Sequence, residues 1–461
     1  MSADYRDRVI RLLAEGRRFA GLHATAGGAL VRVAFTASDG AVHLESVAAR
    51  DGHVPSIVDL APAAGWDERE AADLYRIQFD GHEPLRPLVD HDLDLARWTV
   101  PVYGNDPYQI AVGPIHAGVI ESGHFRFHVV GDRILHVDAR LFYKHRGLER
   151  AAEGQTLDAG LQYALRACAG CAVSNSVAYA HACEDALGLR PSTDLARVRT
   201  LLLELERTWN HLNDIAAVCS GVGVAAGASS FAALTERIRR LNATITGHRF
   251  GFGSIQVGGS ALALASATLD EARAELSAVA TVARRSWREL LFNSSFQDRL
   301  PDIGVVTRAD ARSLGAVGPA ARASGVTDDV RATSDRLLYD GFTLSALARP
   351  TGDARARLEQ RALELDACFD LLNALLDGAI APSNAERSAT ERPIGVGRVE
   401  SPRGATLCVV ERAGSQIERL RLRTGSYANW PVVAHAAVGD LLPDFPLINK
   451  SFELCYACAD R

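Results

Sequence analysis

Past residue 140 the chain repeats apolar positions at helical spacing. Leu195, Val198, Leu201, Leu202, Leu205, Leu212 and Ile215 fall three, four and seven residues apart, which predicts one apolar face on a long helix. Similar runs over Asp270–Phe292, Arg331–Leu347 and Asp353–Leu376 predict three more helices. Gly258-Gly259, Gly318-Pro319 and Pro350 mark the breaks between them. The first 95 residues read differently. Leu30–Thr36 and Val42–Val47 are β-branched runs on either side of Ser38-Asp39-Gly40, a hairpin signal, and the charged stretch after Trp66 reads as a short helix. Gly395–Glu411 returns to strand-like residues around Pro402-Arg403-Gly404. The expected fold is α+β: a small N-terminal α/β domain over 1–95, then a large mainly α-helical bundle domain with minor β elements over 105–461. A linker is expected within 85–110, around Pro84, Pro87 and the Asp90–Asp94 cluster.

The 461 residues are 48% apolar and 23% charged, enough apolar material for a sizeable core and too much for a disordered chain. Acidic groups outnumber basic ones 56 to 50, a net charge of −6, so no basic field invites nucleic acid. No run approaches the ~20 apolar residues of a membrane span. Met1–Arg11 mixes acids with arginines and lacks the apolar core of a secretory signal. A cytoplasmic location follows as an expectation. Disulfides are rare there, and the eight cysteines are read accordingly.

Two Cys-x-x-Cys pairs stand out, Cys168-Ala-Gly-Cys171 and Cys455-Tyr-Ala-Cys458. Each spacing lets two thiolates in one turn meet one ion, and together they can form a four-sulfur site. A redox dithiol, structural zinc and plain buried thiols are the other readings. Zinc modules usually draw both pairs from one short segment, whereas hundreds of residues separate these, so a functional centre deep in a domain is favoured. Cys183, Cys219, Cys368 and Cys408 are single and read as core residues, leaving no iron–sulfur cluster in this chain. Electrons used at such a centre must then pass through another subunit.

Three further segments could serve it. Gly113-Pro-Ile-His116 runs into Glu121-Ser-Gly-His124, a carboxylate and two imidazoles beside turn glycines. Glu400-Ser-Pro-Arg403-Gly404 offers an arginine in a tight turn. Asn210-His211, with Glu204, Glu206, Arg207 and Asp214, reads as an ion-paired structural helix. Gly221-Val-Gly223-Val-Ala-Ala-Gly227 has the wrong spacing for a dinucleotide fingerprint, and no Walker motif is present, so direct NAD or ATP binding is rejected.

Taken together these motifs resemble the large catalytic subunit of membrane-associated, energy-converting [NiFe] hydrogenases of the formate-hydrogenlyase and hydrogenase-4 type, cousins of the 49-kDa subunit of respiratory complex I. Residues 66–88 resemble the complex I 30-kDa subunit, fused in front in some members. Gly113–Phe127, Tyr143–Glu149, Glu204–His211, Thr246–Phe250, Asp298–Val305, Gly315–Arg331, Asn429-Trp430-Pro431 and Asp444–Ile448 match successive family blocks. The resemblance implies a nickel–iron centre, its iron carrying CO and cyanide, on Cys168, Cys171, Cys455 and Cys458. It implies Glu121 as the proton gate and Arg403 as the arginine above the open metal position. Glu149 stands where some relatives bind a second, Mg-like ion, with a surface salt bridge as the equal alternative. The implied function is interconversion of H2 with protons and electrons; the alternative is a divergent NADH-quinone oxidoreductase (complex I 30/49-kDa-like) module without hydrogenase activity. Implied partners are an iron–sulfur small subunit, membrane-embedded antiporter-like subunits and, in some members, an electron-donating dehydrogenase. The implied location is peripheral, on the inner face of the cell membrane. Asn175 stands where the family has histidine, Glu453-Leu454 where it has Asp-Pro, and Ser401 where alanine is usual. The chain stops at Arg461, where a cleaved family product would end.

Overall fold

The computed structural model of the chain describes residues 2–92, 98–116, 121–344 and 346–461. Helix α1 (Ser2–Ala14) leads into an antiparallel sheet β1-β2-β3 (Arg18–Ala24, Leu30–Thr36, Val42–Ala48), with the expected hairpin at Gly40. The short parallel pair β4-β5 (His53–Pro55, Gln78–Asp80) flanks α2 (Gly65–Tyr75). One sheet face packs Leu22, Val31, Val33 and Phe35 against Tyr5, Val9, Ile57 and Phe79. Segments 93–97 and 117–120, which hold part of the expected linker and of the Glu121 loop, lie outside the described residues.

Strands β6-β7-β8 (Tyr108–Val112, His124–Val130, Arg133–Arg140) form a second antiparallel sheet. The helical part follows: α3 (Leu148–Ala151), α4 (Leu157–Leu165), α5 (Ala172–Leu187), α6 (Thr193–Gly221), α7 (Ala225–Thr246) and α8 (Ser266–Leu290). Short helices α9 (Ser294–Arg299), α10 (Arg308–Ser313) and α11 (Gly318–Ala323) precede α12 (Ala354–Leu375). Helices α6, α7, α8 and α12 pack together around Leu201, Leu205, Leu212, Ile238, Leu276 and Leu372. The small strands β9 (Leu189–Pro191), β10 (Gly259–Ser260) and β11 (Ser383–Arg387) pair at the edge of this bundle. Antiparallel strands β12-β13-β14 (Ile394–Ser401, Gly404–Ala413, Gln416–Arg423) come next, then α13 (Gly425–Ala436), α14 (Phe445–Phe452) and α15 (Tyr456–Asp460). The architecture is mixed α+β.

Three of the four expected long helices form as α6, α8 and α12. Arg331–Leu347 does not: a 3₁₀ turn at Val330–Thr333 gives way to irregular chain up to residue 344. Long-range polar bonds replace helical ones in this stretch. Leu338 N–H is held by Thr200 at 2.9 Å and the Tyr339 hydroxyl by Glu204 at 2.7 Å. Buried donors need partners, and here α6 supplies them. The rejected glycine motif Gly221–Gly227 is the turn joining α6 to α7.

Two contacts fix the architecture around the cysteines. Helix α5 lies directly on β12, because Gly395 and Gly397 leave room for the backbone of Ala182 and Ala178; a Cβ at either glycine would run into those carbonyls. The N-terminal sheet meets β12 and β13 through Ala34, Val42, Leu44, Val396, Leu407 and Val409. Charged residues of α2 complete that junction and are themselves buried. Asp67 bonds Arg421 at 2.9 Å and Arg423 at 3.0 Å, and Glu70 bonds Arg421 at 2.6 Å.

Candidate metal centre

Cys168 caps a single 3₁₀ turn, Ala169–Cys171, that opens into α5. Two side chains of α6 hold this turn. Glu206 accepts the free N–H groups of Val173 (2.7 Å) and Ser174 (3.0 Å), filling the role of an N-cap. Asn210 donates to the Gly170 carbonyl at 2.8 Å. Burial pushes the Glu206 carboxyl up to about 7, against the pull of those N–H donors.

The second pair arrives on a chain segment clamped at both ends. Glu453 adopts a left-handed conformation that ends α14 and turns the backbone toward Cys455. Cys455 N–H bonds Ser426 at 3.1 Å, and Thr424 donates to the Cys458 carbonyl at 3.0 Å. Asp460 accepts from Phe142 N–H (2.8 Å) and Lys144 N–H (3.0 Å). Arg461 reaches Glu149 at 2.9 Å and Glu70 at 2.7 Å. These bonds account for the burial of residues 458–461.

The sulfurs of Cys168, Cys455 and Cys458 lie within 4.8 Å of one another, the closest pair being Cys168 and Cys455 at 2.9 Å. Cys171 falls outside that triangle but shares sulfur hydrogen bonds with Cys168 and Cys458. Those bonds draw the Cys171 thiol down to about 6, against burial. The thiols of Cys455 and Cys458 are instead pushed above their ordinary range, first by their sulfur neighbours and then by burial. Four crowded sulfurs, three of them on buried residues, cannot all ionise without a cation among them. Soft, closely spaced thiolates are the donor set that nickel, iron and zinc favour, so the residues present fit a thiolate-held metal group.

A cavity of about 280 Å³ opens beside the sulfurs, lined among others by Glu121, Trp209, Asn213, Arg403 and Glu453. Glu121 accepts the Ala457 N–H at 2.8 Å and stands 3.8 Å from the Cys455 sulfur. Burial and then Cys455 raise its proton affinity above that of an ordinary glutamate. Arg403 enters from the β12–β13 turn. Its guanidinium forks onto Asp214, with Nη2 to Oδ1 at 2.9 Å, and bonds Asn210 Oδ1 at 3.2 Å. Burial opposes its charge, but Asp214 outweighs that, so Arg403 stays firmly protonated. The turn itself is held by Asn429, which donates to the carbonyls of Arg403 (3.1 Å) and Val317 (3.0 Å), and by Ser401, which accepts Arg403 N–H at 3.2 Å.

Other residues from the sequence analysis take different places. His116 bonds the Gly123 carbonyl at 2.7 Å and His124 the Gly113 carbonyl at 3.1 Å, so both pin the loop ahead of β7. Glu149, read as either a second-ion position or a salt bridge, makes salt bridges in this structure. Its carboxylate receives Arg461, Arg419 (3.1 Å) and Leu422 N–H (2.9 Å), with Arg421 at 3.6 Å. These salt bridges are buried, where the sequence suggested a surface position. Among the described residues the cysteines form the one cluster with metal-ligand spacing. The four single cysteines are all buried. The segment read as a structural helix does more than expected: Asn210 and Asp214 fix Arg403, and Glu206 fixes the first cysteine turn. Their i, i+4, i+8 spacing was the available signal, since it puts all three on one face of α6.

Comparison with known proteins agrees with this architecture. Residues 27–98 match the family of the respiratory-chain NADH dehydrogenase 30 Kd subunit, and residues 222–393 that of its 49 Kd subunit. Neither cysteine pair lies inside these matches. Formate hydrogenlyase subunit 5 of Escherichia coli (strain K12) is 29% identical over 440 residues, covering 88% of this chain and 77% of that protein. Carbon monoxide-induced hydrogenase of Rhodospirillum rubrum is 27% identical over 360 residues, 77% of this chain and 99% of that protein. A solved subunit of an archaeal membrane-bound sulfane sulfur reductase superposes with a TM-score of 0.71 at 26% identity, covering 78% of this chain and all of the other. The chain thus carries a complex I 30-kDa-like region fused to a 49-kDa-like one, and is an oxidoreductase similar to the hydrogenase large subunits.

Proposed function

We propose that the chain is the catalytic large subunit of a membrane-associated [NiFe] hydrogenase, interconverting H2 with protons and electrons. The observation that carries this reading is the convergence of both cysteine pairs beside a cavity that also receives Glu121 and Arg403. Cys168, Cys171, Cys455 and Cys458 would hold the nickel–iron group. When bound, that group supplies the Lewis-acidic, redox-active pair at which H2 is split or formed.

The chain's own residues manage charge and protons around it. Glu121, its proton affinity raised, holds a proton at a carboxylate oxygen one residue length from the cysteine sulfur and hands it on toward the protein surface. Arg403 contributes a fixed positive charge over the cavity, and Asp214 keeps that charge from swinging toward the sulfurs. Trp209, itself buried, supplies an apolar part of the cavity wall. Electrons leave to an iron–sulfur partner subunit. The complex is peripheral to the inner face of the membrane through antiporter-like partners, consistent with the absence of any described helix long and apolar enough to cross a bilayer. The sulfane sulfur reductase named above, membrane-bound by its title, supports this placement. The first domain would be 1–95 and the second 105–461.

Asn175 favours a second reading, a complex I-like module without hydrogenase activity. Both atoms of its buried amide lack a partner one helical turn beyond Cys171, where the resembled family has a histidine. The Cys458→Ala protein separates the two. In a hydrogenase it loses nickel that the parent protein retains; nickel content indifferent to that substitution contradicts the proposal.

A further inference from the structure

An arginine-lined cavity separate from the cysteine site lies at the junction of the N-terminal sheet with β12–β14. A cavity of about 420 Å³ there is lined by five arginines, Arg17, Arg18, Arg312, Arg398 and Arg423. Three of them have carboxylate partners: Arg17 bonds Glu15 at 3.2 Å, Arg18 bonds Asp328, and Arg423 bonds Asp67 at 3.0 Å. The cavity's other acid, Glu400, is already held by Arg322 at 2.8 Å and by the Val330 N–H at 3.2 Å. Asp329, which also faces Arg398, is tied to Arg331 at 2.7 Å. Arg312 and the half-buried Arg398 are left with no hydrogen bond or ion pair among the described residues.

Like charges crowded into a concave, partly dry space repel and call for a counter-charge. The crowding is felt by Arg18, whose proton affinity is lowered by burial and then by Arg312, Arg308 and Arg398. Two unmatched guanidiniums balance one dianion, and their forked geometry suits a phosphoryl group. The remaining wall is mostly apolar, with Phe19, Ala63, Val317 and Leu407 available to an organic substituent. The volume falls within the roughly 300–1,000 Å³ typical of small-ligand sites.

We propose that this junction binds a small phosphate monoester of up to nucleotide size, with Arg312 and Arg398 as the phosphate ligands. The site joins both parts of the chain, so its occupancy stiffens the N-terminal sheet against the strands that carry Arg403.

Calorimetric titration of the full chain with inorganic phosphate and with AMP at low ionic strength tests this. Saturable one-to-one binding of both is expected. Arg398→Gln and Arg312→Gln should each weaken it about tenfold, the equivalent of 1.4 kcal/mol. Arg249→Gln, which removes an exposed arginine paired with Glu236, should leave it unchanged. Arg312 is exposed, so its variant keeps the test sound even where Arg398→Gln fails to fold. No saturable phosphate binding, phosphate binding without AMP binding, or binding undiminished in the Arg312→Gln/Arg398→Gln protein each overturns the proposal.

Discussion

Replacing Asp214 with asparagine keeps the shape of the side chain and removes its charge. Asp214 is fully buried and serves two guanidiniums, Arg403 at 2.9 Å and Arg361 at 3.0 Å. Arg361 would remain anchored by the carbonyls of Arg357 (3.0 Å), Ser451 (2.7 Å) and Phe452 (2.6 Å). Arg403 would keep only Asn210 at 3.2 Å, so most of the loss falls on it. Removing one partner of a buried ion pair costs about 3–5 kcal/mol, because the other charge stays desolvated and unmatched. The carboxyl is held well below its ordinary range, with burial opposed by Arg403, His211 and Arg361. A depressed folded pKa means the pair's stabilisation is complete at neutral pH and is lost only in strong acid. Asp214→Asn should therefore lower the urea midpoint throughout the neutral range. Arg403→Met in the same protein should recover part of the loss, with a coupling of about 2–3 kcal/mol in a double-mutant cycle. Hydrogen turnover should be lost in all three variants. An Asp214→Asn cost below about 1 kcal/mol, the level of a solvated pair, would refute the reasoning, as would additivity in the cycle.

Gly397→Val should force α5 off β12 and separate the first cysteine turn from Arg403; a destabilisation of at least about 1–3 kcal/mol, with faster amide exchange along α5, is the expected result. Glu121→Gln should slow H2/D+ exchange by roughly 10²–10⁴-fold while nickel content stays at the parent level. Glu149→Ala should destabilise the C-terminal segment by about 3–5 kcal/mol, because Arg419, Arg421 and Arg461 lose a shared carboxylate, and elemental analysis of the parent protein should find no stoichiometric magnesium. Glu411 joins the N-terminal sheet to β13 through Arg32 at 2.8 Å and His23 at 3.1 Å, and these partners override burial to bring its carboxyl down to about 2. Its contribution should be whole above about pH 4.5 and fade as pH falls toward 2, so the urea midpoints of parent and Glu411→Gln proteins should converge in acid.

The sequence disclosed those features that depend on local pattern. The hairpin at Ser38-Asp39-Gly40, three of the four amphipathic helices and both Cys-x-x-Cys turns follow from spacing alone. What it hid depends on pairing at long range. The charged run Asp67–Glu70 reads as a short helix, but nothing local shows that its charges are buried, because their partners, Arg421, Arg423 and Arg461, arrive more than three hundred residues later. Arg331–Leu347 has helical apolar spacing but spends its polar groups on α6 and cannot close helical bonds. Glu149 looked equally able to serve a metal or an ion pair, and only the fold brings three guanidiniums to it. Within the site, the cysteines, Glu121 and Arg403 were legible as motifs. Glu206, Asn210 and Asp214 were legible as one helix face, but the way they and Asn429 hold the site was not, because nothing local distinguishes a carboxylate that pairs across the core from one in solvent.

Infrared spectroscopy of protein purified from its native host, with nickel and iron counted in the same sample, tests the central claim most directly. The account predicts the CO and cyanide stretching bands of a diatomic-ligated iron, one nickel per chain, and loss of both in the Cys458→Ala protein. Zinc or no metal at the four sulfurs, with a blank spectrum in that region, would contradict it.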